Sequence, residues 1–434
     1  MDLFIKRETS LEAHDATETL MAGRARALEQ ELRDRRGEST VHVMLGKSKE
    51  ALVDGVLVLV AEDIAKAKTL LPALYLSVDD RGECFISRLR YFSRTNAHRL
   101  THRGKAAVYQ ITKACLEMEC HLVEFLYRDC LRLAVPSDVS EHSLSGCASV
   151  LEMTKQSLPL LLGSKSHLAS FLVFSFRCIH AQYPCLQKGE KTLCAFFESN
   201  KAFLLSLVEK IHYLGKDAIR LLVSVSRIPE FAEILSTWPV ELSLPPQEVI
   251  AAQIPLVVEN KVKYILEHPP SYHMEWLLGK HFQAGSDYLA VDTIRFICLC
   301  VHPSEETRKT CMARWWLVRN ILLTIQDSAV LSYAYLTLFY DWLFYDGIPM
   351  NIEPSYLLLE GAVVHEKDLF NKIFDFLVLL SSRFSQRVDV KTSIGKAFKH
   401  AIDSEIATNV NGFASMDSSR YRQFVSLINI EQYN

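Results

Sequence analysis

Apolar residues recur at spacings of three and four along nearly the whole chain, the period that lines side chains along one face of a helix. Val108, Ile111, Cys115, Met118, Leu122, Phe125 and Leu126 make one such stripe within residues 106–135. Residues 190–213 predict another long helix, closed by Gly215 just past its last apolar turn. Turn formers are scarce, with 16 glycines and 14 prolines in 434 residues. A β fold needs turns far more often, and no pair of alternating segments flanks an Asn-Gly or Asp-Gly hairpin. The expectation is all-α: about fifteen helices of roughly 12–25 residues joined by short loops. Helices in series with short links stack as an α-solenoid. No fixed repeat length recurs, which disfavours tetratricopeptide and ankyrin arrays and leaves irregular, HEAT-like helical pairs in two lobes.

Residues 236–248, STWPVELSLPPQE, hold three prolines and few helix formers. They predict a linker at 239–249 between a first lobe, 41–238, and a second, 250–434. Residues 1–40 read differently. The stretch 16–38 is charged on most faces, which predicts an exposed helix or partial disorder.

Leu336 to Phe344 holds seven large apolar or aromatic side chains and one acid, Asp341. A helix apolar around its whole circumference is buried on all sides. Asp346-Gly347 ends it. Asn351 is the expected N-cap of the next helix, with Pro354 in its first turn. Aromatics at helical spacing are core before they are a ligand pocket. Full burial of Phe339, Trp342 and Phe344 stabilises by roughly 1.5–3 kcal/mol each.

A net charge of −3 gives no global pull toward nucleic acid or acidic lipid. No apolar run approaches the ~18 residues that span a bilayer, and the first residues lack a signal peptide's apolar core. The expectation is an intracellular chain whose 11 cysteines are mostly small buried hydrophobes. No glycine-rich phosphate loop, GxSxG, HExxH, GxGxxG or DFG signature is present. Cys115, Cys120 and His121, then Cys178, His180 and Cys185, then Cys298, Cys300 and His302 are Cys/His groups. Their spacings on helices suit a shared metal poorly. Asp341 has neither a second carboxylate nor a histidine at useful helical spacing. An ion pair with Arg314 or Arg319 is its expected role, rather than catalysis. No catalytic residue, cofactor site or metal site is expected.

One segment departs from the background. Between Phe85 and Cys115 there is no Asp or Glu, while Arg88, Arg90, Arg94, Arg99, Arg103, Lys105 and Lys113 are present. Tyr91, Phe92, His98 and His102 are interleaved. Two readings stand. Several cations with aromatics could hold phosphates and stack on bases, or contact an acidic partner. A solvated face whose acids come from neighbouring helices gives the same sequence.

Three stretches then acquire a common meaning: AIRLLVSVSRIPEFAEIL (218–235); VDTIRFICLCVHPSEE (291–306) with ARWWLVRNILLT (313–324); and LTLFYDWLFYDGIPMNIEPSYLL (336–358). In order and separation the chain resembles the N-terminal domain of the Integrator complex subunit 3 family. The likeness is clear over roughly 200–380, weaker over 45–200 and absent before about 40. Arg227, Pro229, Phe231, His302, Pro303, Trp315, Asp341, Trp342, Asn351 and Pro354 carry it. Pro229 and Pro303 punctuate helices and so set the angles of a scaffold. The resemblance implies a nuclear, non-enzymatic scaffold in two settings. One is the Integrator complex, which acts on RNA polymerase II transcripts, including small nuclear RNA 3′-end processing. The other is the sensor of single-stranded DNA complex of the double-strand-break response, where this domain binds an OB-fold single-stranded-DNA-binding protein and a small third subunit. DNA or RNA is then met mainly through those partners, and no membrane is involved. Family members are usually much longer, so a short form or a fragment is expected. The alternative is a helical protein that binds nucleic acid directly through residues 88–113.

Overall fold

A computed structural model describes residues 16–97, 99–136, 138–239, 247–251, 253–267, 272–282, 287–300, 314–384, 390–404, 406 and 418–428. The described residues form α-helices and short 3-10 segments and no strand, so the fold is all-α and solenoid-like. Two compact units result, residues 1–208 with 255–257 and residues 209–254 with 258–434.

In the first unit each helix packs on its neighbours in sequence or on the next but one. Lys49–Glu62 meets Glu83–Thr95, which meets Val123–Leu133; His102–Glu117 meets Glu141–Gln156; Lys165–Gln182 meets Lys191–Ser206. Helix Ala16–Asp34 lies along Lys49–Glu62 and buries Met21, Ala25 and Leu28 at helical spacing. It is therefore packed along one face, where the charge pattern alone pointed to exposure. Gly55 permits the contact: a Cβ there would stand 3.2 Å from Leu28 Cδ2 and 3.3 Å from the Arg24 carbonyl oxygen.

Two expected long helices are each split. Residues 106–135 divide into His102–Glu117 and Val123–Leu133, because Glu119 (φ 51) and Leu122 (φ 63) adopt left-handed backbone between them. Lys191–Ser206 ends before a 3-10 segment, Val208–Leu214, with Gly215 following at φ 54.

The second unit is built around helix Ser328–Leu343. Asp287–Cys300, Pro349–His365, Lys367–Phe384 and Val390–Asp403 all pack against it. Phe339, Trp342 and Leu343 have no exposure, and Leu338 and Tyr340 have almost none. A helix apolar all round is enclosed on all sides. The boundary between units departs from the expected linker. Helices Asp217–Ser224 and Pro229–Thr237 belong with the second unit, since Lys216, Asp217 and Arg220 bury their charges against acids and a base supplied from residues 292–346 and the amide of Gln253. Of the expected linker, residues 240–246 lie outside the described residues.

The turn after Tyr345 also differs from expectation. Pro349, not Pro354, occupies the first helical turn, and Ile348 is the N-cap. Asn351 lies inside the helix, donating to Asp346 Oδ2 at 3.3 Å, while Asp346 Oδ1 accepts from Ile348 N at 3.0 Å. Pro354 sits in the helix interior, where its missing N–H leaves the Met350 carbonyl without its helical donor. Arg314 Nη2 donates to that oxygen at 2.8 Å. The same guanidinium reaches Glu353 and the carbonyls of Ile297 and Cys298. Arg314→Lys, unable to form that planar fork, should cost about 1–3 kcal/mol. The readout is the urea midpoint at fixed m-value; an unchanged midpoint would show that water satisfies those carbonyls equally well.

Candidate functional site

The basic segment occupies helix Glu83–Thr95, a short connection, and the start of helix His102–Glu117. Its cations are not equivalent. Arg88 Nε lies 2.7 Å from Asp54 Oδ1, and Arg24 Nη1 approaches the other oxygen of that carboxylate at 2.6 Å. Arg90 Nε lies 2.9 Å from Asp129 Oδ2, with Arg94 Nε 3.3 Å from Oδ1. Both acids are buried, each 2% exposed. Arg90 also sits over one side of the Phe125 ring, 5.1 Å from its centroid, and Arg128 over the same ring at 5.0 Å. Three of the six candidate contacts thus join helices of the first unit, with acids drawn from neighbouring helices. Arg103 Nη2 donates to the Glu62 carbonyl at 2.9 Å. Arg99 is half-buried, and Tyr91 is exposed. Lys105 faces a cleft between two helix starts, where burial pushes its ammonium below the ordinary lysine range against the opposing pull of Asp138. His98 lies outside the described residues.

The second unit holds a buried lattice of charges that no local motif announced. Asp341 is not partnered by Arg314 or Arg319, which go to Glu353 and Glu366. Its partners are Arg295, through Nη1 to Oδ2, and Lys216, whose Nζ stands 2.5 Å from Oδ1, close enough to pair the charges though not aligned as a hydrogen bond. Arg295 bridges onward to Asp217, Nη2 to Oδ1 at 2.8 Å. Arg220 touches Asp217 at 3.4 Å and Asp292 at 3.1 Å, and donates to Gln253. Lys216 also reaches Asp346 at 2.9 Å. Burial alone would raise the Asp217 carboxyl; the guanidiniums of Arg295 and Arg220 outweigh it and hold the group well below the carboxylate range. Tyr333 and Tyr340 close the lattice by donating to the carbonyls of Arg220 and Lys216. Chemically the lattice clamps three helices, Asp217–Ser224, Asp287–Cys300 and Ser328–Leu343, and the turns at Gln253 and Asp346 to one another.

The remaining residues of the resemblance are placed as follows where described. Pro229 opens its helix at the first position, with Ile228 extended before it. Phe231 is fully buried and Arg227 exposed. Trp315 is half-buried, its ring 3.6 Å from where a Cβ on Gly361 would lie. His302 and Pro303 lie outside the described residues. Cys115, Cys120, Cys178 and Cys298 are buried, and burial pushes the Cys298 thiol up to about 12. His121 is exposed and pairs with Glu83 at 3.1 Å. Among the described residues no group of three or more His, Cys, Asp or Glu is placed to hold a metal ion. No helix among them is long and apolar enough to cross a membrane.

Serial all-α packing, with a set of buried ion pairs joining helices, defines a helical, solenoid-like class of protein. The family described as Integrator complex subunit 3 N-terminal matches residues 47–420, and the chain belongs to that family. It is 23% identical over 397 residues to the Integrator complex subunit 3 homolog of Drosophila sechellia, covering 84% of this chain and 36% of that protein. To the Integrator complex subunit 3 of Homo sapiens it is 25% identical over 313 residues, covering 64% and 29%. The Anopheles gambiae homolog is 22% identical over 348 residues, covering 72% and 31%. The chain spans about a third of the length of these curated relatives.

Proposed function

We propose that the chain is a non-catalytic helical scaffold that works in the nucleus as an Integrator subunit. In this reading it docks other Integrator subunits, an OB-fold single-stranded-DNA-binding protein and a small third subunit, and so serves RNA 3′-end processing and the DNA damage response. The observation that carries the reading is the family match across residues 47–420. The internal use of the buried charges supports it, since a scaffold needs rigid helical surfaces and no reacting centre. Single-stranded nucleic acid is held by the partner, whose OB fold supplies stacking aromatics and a basic groove.

The rival reading, direct nucleic-acid binding by residues 88–113, draws on cations that already have uses. A polyanion at Arg88, Arg90 or Arg94 competes with the buried carboxylates of Asp54 and Asp129. Size-exclusion chromatography of the chain with a single-domain OB-fold single-stranded-DNA-binding protein, with and without oligonucleotide, separates the two. The expected result is co-elution without DNA and no shift of DNA by the chain alone. DNA shifted by the chain alone, without co-elution of the OB-fold protein, would overturn the scaffold reading.

A further inference from the structure

Two cations of the basic segment that those helix-joining pairs do not use, Arg103 and Lys105, face one cleft. It has a volume of about 300 Å³ and lies between the first turns of helices His102–Glu117 and Glu141–Gln156, above the end of Val123–Leu133. Arg103, Lys105, His102 and His142 line it, with Asp138 as the single carboxylate. The two imidazoles stack, with ring centroids 4.6 Å apart and planes at 21°. Lys105 Nζ makes no hydrogen bond or ion pair with any described residue, although burial makes its charged form costly. Arg103 uses one N–H on the Glu62 carbonyl, and no other partner of its guanidinium occurs among the described residues. Asp138 Oδ1 accepts from Ser140 N at 2.9 Å, so part of its charge is committed to the turn before the second helix. A half-buried ammonium beside a guanidinium fork, with Asp138 the one carboxylate in the lining, leaves the cleft with more positive than negative charge. Each helix is 16 residues long, and their positive ends add to the same potential.

We infer that this cleft binds a single phosphate monoester, presented as the phosphorylated serine or threonine of a peptide. The volume sits at the low end of ligand sites, enough for one phosphate on a short side chain. A nucleic-acid backbone fits less well. It would need a track of further cations, and the nearest ones, Arg88, Arg90 and Arg94, are held by Asp54 and Asp129. Asp138 at the cleft wall repels a second phosphate. The inference is independent of the docking of an OB-fold partner.

The test is isothermal titration calorimetry of the intact chain with three probes: an acetylated, amidated Gly-Gly-phosphoserine-Gly-Gly peptide, its unphosphorylated twin, and a 5′-phosphorylated trithymidylate. Saturable binding of the phosphopeptide alone is expected, weakened about tenfold or more in both Lys105→Met and Arg103→Gln. Circular dichroism melting of the two variants establishes that they fold; two variants on different side chains keep the test open if one does not. Equal binding of the unphosphorylated twin, no saturable binding of the phosphopeptide, or unchanged affinity in both folded variants would overturn the inference. So would preference for the trithymidylate with the same dependence on Lys105 and Arg103, which would make the cleft a nucleic-acid end site.

Discussion

Arg295→Met should destabilise the second unit by about 3–5 kcal/mol, the cost of breaking a buried pair by removing one partner. Arg295 has no exposure and bridges Asp217 and Asp341, both buried as well. Methionine fills much of the space but leaves the two carboxylates with only Arg220 and Lys216 to share. The lattice falls from three cations to two against Asp217, Asp292, Asp341 and Asp346. The double variant Arg295→Met with Asp217→Asn removes one charge of each sign and should recover part of the loss, a coupling that a double-mutant cycle reads directly. Acid gives a second readout. The native Asp217 carboxyl is held below its unfolded value, so the unfolded chain takes up the proton first. The stabilisation is complete above about pH 4 and is lost as pH falls through the native value. Without Arg295 the depression shrinks, and so does this group's share of the acid-side loss. Urea unfolding at neutral and acid pH, with hydrogen exchange of the 287–300 and 328–343 helices, measures both. Wild-type stability in the single variant would show that the lattice contributes nothing net.

Helical periodicity and the poverty of glycine and proline made the fold class legible, because both express the backbone's own requirements. Splits within the long helices were not legible. The turn at 118–122 relies on left-handed Glu119 and Leu122, residues that do not advertise it, and Leu207 ends its helix without glycine or proline. The aromatic run at 336–344 was legible as core because no face of it is polar. Pro354 misled, since a proline inside a helix is tolerated here only through Arg314, which lies 36 residues from Met350 in sequence. The charge lattice was half-written in the chain. Asp217 with Arg220 and Asp292 with Arg295 each set an acid and a base three apart within apolar runs, a pattern that signals buried charge. Which acid meets which base depends on partners 46 to 130 residues apart, a choice made by tertiary packing alone. The basic segment was visible as composition. Its division into helix-joining arginines and cleft-facing Arg103 and Lys105 depended on where Asp54, Asp129 and His142 come to lie.

Trp342→Ala should also cost about 3–5 kcal/mol. The indole has no exposure, and three rings surround it: Phe339 edge-on at 5.8 Å, Tyr356 nearly parallel at 6.5 Å and Phe398 tilted at 6.5 Å. Its Nε1–H donates to Ser355 Oγ at 2.6 Å, and that hydroxyl donates to the Ile352 carbonyl at 2.8 Å. Alanine leaves a void among rings that cannot all move inward, since Tyr356 and Phe398 are fixed on two other helices. Trp342→Phe keeps most of the volume and loses only the hydrogen bond, so about 1–3 kcal/mol is expected. The pair of variants separates core from docking surface. A core indole predicts that Trp342→Phe still co-elutes with every partner the wild type binds, while Trp342→Ala loses them together with its folded signal in hydrogen exchange. A normally folded Trp342→Ala chain that has lost one partner would move the aromatic run from the interior to a binding site. Since Trp342 meets Phe339 and Tyr356, Phe344 meets Tyr340, and all five rings are buried, any partner-facing surface of this unit has to be sought among the outward residues of its peripheral helices.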